Sequence, residues 1–195
     1  MKTLHKLVRR DLPAKAARVL VRYGDVYIAE VIVASTPLSP LVNAALRVVS
    51  LGQWEDATGR KELHHLFMFL KLVNGIVLRV EKNAVINIQV VASKDIPKGG
   101  YTHTLPRPVT VTQFLRNAER RMGKERFYTY DAFHNNCQSF ILALLQANQI
   151  HVSDQELAYI WENMPSVKDK LPSVTPKVID TVTTTAAVAD RLLPD

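Results

Sequence analysis

His64-His65-Leu66-Phe67-Met68-Phe69-Leu70-Lys71-Leu72-Val73-Asn74-Gly75-Ile76-Val77-Leu78-Arg79-Val80-Glu81-Lys82-Asn83 is the stretch that decides the fold class. Two apolar runs, Leu66 to Val73 and Ile76 to Ile88, flank Asn74-Gly75, a residue pair suited to a hairpin turn. Alternation puts Leu66, Met68, Leu70 and Leu72 on one face of the first arm. It puts Ile76, Leu78, Val80, Ile86 and Ile88 on one face of the second. If one sheet face is the core, these two sets must coincide. A symmetric two-residue turn would pair even positions with odd ones and bury Arg79 against Leu70, so an odd-length loop or a bulge is expected. In that register His65 shares a face with Arg79, Glu81 and Asn83, and His64 points the other way.

Working outward, Ala17 to Tyr23 and Val26 to Val33 are β-branched and aromatic and read as two strands about a Gly24-Asp25 turn. Ser39-Pro40 is expected to open a helix that Gly52 ends, with a polar loop over 53–62. Residues 92–109 are punctuated by Pro and Gly and read as loop with short extended pieces. Thr110 and Gln113 form a capping box for a basic helix ending at Gly123, and Tyr128 to Tyr130 look extended. A helix is expected from Asn136 to Asn148, with Cys137, Phe140, Ile141, Leu144 and Leu145 on one face. Ser153 and Glu156 form a second capping box, opening a helix that stops before Pro165. The expected organisation is a basic extension over 1–15, one domain over 16–165, and a Lys/Pro/Ser-rich linker with a Thr/Ala-rich tail over 166–195. The expected fold class is α+β, an antiparallel sheet packed on a Cys-bearing helix.

Composition narrows the function classes. The 195 residues are 47% hydrophobic, enough for a sizeable core. No apolar run reaches the roughly 18 residues that span a bilayer, and no apolar segment follows the basic start as a cleaved leader requires. The net charge of +7 collects in residues 2–22 and again at Arg116, Arg120, Arg121, Lys124 and Arg126. Such patches attract acidic partners generally; nucleic acid is the weaker expectation, because no aromatic residues interleave with them. The termini differ in composition from the centre and are expected to order against other protein chains within an assembly. Cys137 is the single cysteine, which excludes an internal disulfide and a Cys-rich zinc site. That suits an intracellular, reducing compartment.

Any cysteine chemistry therefore falls on Cys137. It follows Asn135-Asn136 and lies in the first turn of an apolar helix, where unpaired N–H groups and the helix dipole favour an anion. The same N–H groups could donate to a developing oxyanion. The bland alternative is a small apolar side chain filling the stripe it shares with Phe140 and Leu144. A nucleophilic thiolate needs a base, and His65, at a strand start, is held rigidly enough to be one. Glu81 or Asn83 could orient the imidazole through its second nitrogen. His64 is the fallback, and His134 is near in sequence.

The order of a strand-start His, a polar residue on the next strand, then Asn136-Cys137-Gln138-Ser139-Phe140-Ile141 opening a helix resembles the permuted NlpC-type papain-like superfamily. Within it, the chain resembles the lecithin:retinol acyltransferase-like branch over residues 63–148. Arg79 to Asn83 and Asn135 to Gln138 are also similar to uncharacterised domains of large eukaryotic DNA viruses. The resemblance implies a permuted papain-like fold and a thiol hydrolase, peptidase or acyl transferase. Cys137 would be the nucleophile, His65 the base, and Glu81 or Asn83 the orienting group. It implies no metal or organic cofactor. The alternative expectation is a non-catalytic structural or interaction protein on the same scaffold, such as a minor capsid component in a virion.

Overall fold

The computed structural model describes residues 12–37, 64–131 and 134–161. Within them it is α+β. Helix α1 (Ala14–Tyr23) leads into β1 (Ile28–Pro37), and β2 (His64–Leu72), β3 (Val77–Lys82) and β4 (Ile86–Val91) follow. A short 3-10 turn (Ser93–Asp95) precedes β5 (Tyr101–His103). Helices α2 (Val111–Met122), α3 (Lys124–Tyr128), α4 (Cys137–Ala147) and α5 (Asp154–Ile160) complete it. The strands make one antiparallel sheet in the order β4-β3-β2-β1-β5.

The register of β2 on β3 pairs Met68 with Val80 and Leu70 with Leu78, even with even. The connection is thus odd-length, as alternation requires, and Gly75 adopts φ 83°, a left-handed turn position open to glycine. The second arm is two strands rather than one. Asn83 breaks it, its side chain accepting from the Val85 N–H in a turn that returns the chain as β4.

Two expectations are overturned here. Ala17 to Tyr23 is not a strand but part of α1. Ala16 and Leu20, four residues apart, are buried, while Lys15, Arg18 and Arg22 are exposed at helical spacing. Gly24 ends the helix by donating its N–H to the Leu20 carbonyl, and a Cβ there would collide with Thr112 and with the Leu20 carbonyl. The expected boundary at residue 16 therefore falls inside α1. Tyr128 closes helix α3 and is not extended. The helix expected over 40–52, the loop over 53–62 and the tail over 166–195 lie outside the described residues.

The main core lies between the sheet and the helices. Val31, Met68, Leu70, Leu78, Val80 and Ile88 meet Phe114, Phe140, Ile141 and Leu144, all at most 1% exposed. Each such side chain contributes about 2 kcal/mol of burial. The α4 helix packs on β2 and β3, α1 on β4, and α2 on α4. The opposite sheet face is buried as well: Ile32, Ala34, Phe67, Phe69 and Val77 form a second cluster, where a single core face was expected.

Candidate active site

Cys137 is the first residue of α4 and 7% exposed. Asn136 is the N-cap; its side-chain oxygen accepts from the N–H groups of Gln138 at 3.0 Å and Ser139 at 3.1 Å. The cap fixes the angle at which the helix begins, and with it the position of the sulfur.

His65 stands in β2, level with Thr36 of β1. Its Nε2 donates to Glu81 Oε2 at 3.1 Å, and the Cys137 side chain lies near enough to the ring to act on its protonation. With Nε2 occupied, Nδ1 is the nitrogen available to the sulfur. Burial alone would pull the imidazole down. The hydrogen bonds to Cys137 and Glu81 and the charges of both residues outweigh it, and the imidazolium is pushed up to about 10. Burial likewise works to raise Glu81. The hydrogen bond and charge of His65, together with Arg79, outweigh it and hold the carboxyl below the usual range. Arg79 Nη2 donates to the same Oε2 at 2.7 Å, and its guanidinium lies 4.1 Å from the Phe67 ring centroid.

Of the residues singled out in the sequence, the fold brings Cys137, His65 and Glu81 together. It does not bring Asn83, whose side chain accepts from Val85 N and from Asn87 Nδ2 in the β3–β4 turn. Nor is His134 drawn in: it is exposed, and its backbone N–H donates to Asp131. For two polar side chains the sequence did not show the partner. Lys82 is fully buried behind the Cys137 loop. Glu156 is buried against His103, Nε2 to Oε1 2.8 Å, on the far edge of the sheet. Nothing local marks these pairings, since the partners are 44 and 53 residues away. Among the described residues, no group of three acidic, histidine or cysteine side chains could hold a metal ion. No helix there is long and apolar enough to cross a membrane.

An open cleft of about 800 Å³ runs over the second sheet face, bordered by Thr36, Phe67, Phe69, Arg79 and Gln89. Its described walls include Arg79, which holds Glu81, but not Cys137 or His65. Comparison with family models, with curated proteins and with solved structures finds no match for the chain.

Proposed function

We propose that the chain is a thiol hydrolase, peptidase or acyl transferase of the permuted papain-like type, with Cys137 as nucleophile, His65 as base and Glu81 as orienting group. The observation that carries this reading is the imidazole of His65, which meets the Glu81 carboxylate at 3.1 Å and has the Cys137 side chain as its other charged neighbour. The order of His65 at a strand start, Glu81 on the next strand and then the Asn136-Cys137 helix start supports the permuted reading. In the reaction, His65 holds the proton while the sulfur attacks the carbonyl carbon of an amide, ester or thioester. The tetrahedral oxyanion collapses, the bond to the leaving group breaks, and His65 returns the proton to the departing amine, alcohol or thiol. Water or an amine then takes the acyl group from the sulfur. Because the Asn136 side chain engages the Gln138 and Ser139 N–H groups, the Cys137 N–H is the first-turn donor an oxyanion would use.

An activated acyl ester tests this, followed by intact mass and peptide mapping. The expected result is one acyl group on Cys137, lost in Cys137→Ala and slowed in His65→Ala. Acylation only after denaturation would overturn the reading. One observation favours the alternative, a non-catalytic structural or interaction protein on this scaffold, such as a virion component working among other protein chains: Cys137 is only 7% exposed. Denaturation-dependent acylation is the outcome it requires.

A further inference from the structure

Lys82 follows Glu81 on β3, so its side chain leaves the sheet on the opposite face. It is 0% exposed. Its ammonium donates to the Arg126 carbonyl at 2.8 Å and to Asn135 Oδ1 at 3.1 Å, and lies 5.7 Å from the Phe140 ring centroid. Asn135 is itself buried, and its amide donates to the carbonyls of Arg126 at 2.7 Å and Thr129 at 2.8 Å. Its backbone N–H and carbonyl pair with those of Asp131. Asn136 and Cys137 come next. A lysine is almost never wholly buried, and an apolar side chain would fill such a place at lower desolvation cost. No proton transfer in the proposed reaction uses this one.

We propose that Lys82 is a positioning residue for Cys137: its ammonium ties the Asn135 loop to β3 and so sets the sulfur where His65 can reach it. Since it concerns how Cys137 meets His65, the proposal rests on the thiol-hydrolase reading above. Adjacent residues of β3 then serve the two halves of the site, Glu81 the base and Lys82 the nucleophile's loop.

The surroundings make the device pH-dependent. From β4, Ile86 pairs with Lys82. From α4 comes Phe140, and that helix carries no charged side chain, its one titratable group being Cys137. From α3, Arg126 repels the ammonium, and Lys124 and Glu125 are exposed. Asp131 and His134 belong to the Asn135 loop, and Glu81 faces the other side. Burial first, then the Arg126 charge, lower the ammonium to about 8. Above that pH the charge-assisted hydrogen bonds weaken.

The test is the rate of Cys137 alkylation by iodoacetamide in the full chain. In the native protein the rate should fall as pH rises through about 8, opposite in sign to thiol deprotonation. Lys82→Met should slow alkylation at pH 7 about tenfold and abolish the fall. Asn135→Ala should slow it similarly, and the double variant should add little. A folded Lys82→Met protein with the native rate and profile would overturn the proposal. So would a native rate that climbs through pH 8, a result that needs no variant to fold. His65→Ala separates the two levels. If it alkylates at the native rate, the thiol-hydrolase reading itself fails. If it is slow while folded Lys82→Met is not, only the role of Lys82 fails.

Discussion

The His65 ring is held at Nε2 by Glu81, and the ring and the carboxylate each have a separate signature. The imidazolium is raised to about 10 from an ordinary 6.5. Its contribution to stability is therefore whole below about pH 6.5 and is lost as pH rises through about 10. Urea unfolding of the native protein and of His65→Ala should differ most near pH 6 and converge towards pH 10. Glu81 has the opposite sign: its contribution is present above the ordinary carboxylate range and is lost as pH falls through its depressed value. Glu81→Gln should lower the His65 titration midpoint, read from imidazole proton shifts; an unmoved midpoint would mean that the carboxylate does not hold the ring. At this scale the sequence was informative about Cys137 and His65, because an Asn-Cys helix start and a strand-start His are local features. It could not separate Glu81 from Asn83. The two share strand parity, and what divides them is the turn at Asn83, which a continuous polar run conceals.

Among the elements, α4 depends most on a single side chain. Asn136 satisfies two first-turn N–H groups, so Asn136→Ala should cost about 1–2 kcal/mol in chemical denaturation. It should also slow Cys137 alkylation, since the cap and the sulfur are neighbours. Two capping signals were legible: Thr110 and Gln113 close their box as their spacing implies, and Ser153 caps α5. Glu156 departs from the pattern. Its carboxylate goes to His103 instead of back to its own helix start. The reading of α1 failed for a definable reason. Val19, Val21 and Tyr23 have strand propensity, but the basic residues at 15, 18 and 22 carry the helical period, and the buried Ala16–Leu20 pair decides the matter. Val21, which suggested a strand, is 60% exposed.

Across the whole molecule, the sheet is a divider between two buried layers, which one-face alternation did not foresee. The apolar odd positions Phe67, Phe69 and Val77 were the available sign, since strands buried on both faces read as continuous apolar runs. At the far edge, α5 is tied down by the His103–Glu156 pair and by Tyr159, whose hydroxyl meets Ser35 at 2.8 Å. Glu156→Ala should lower stability by about 2 kcal/mol and raise amide exchange in 154–160 and 101–103 while leaving Cys137 alkylation unchanged. The three-residue connection 73–75 has a further consequence, one of inheritance. Side chains alternate along β3, so a change of one residue in that connection that shifted the register would turn Glu81 and Lys82 each to the opposite face of the sheet. The carboxylate would then leave the face of His65, and the ammonium would leave the face of the Asn135 loop. Changes of two residues keep the alternation. Insertions and deletions tolerated between Leu72 and Val77 should therefore come in even numbers, and a deep library of length variants screened for folding would display that arithmetic directly.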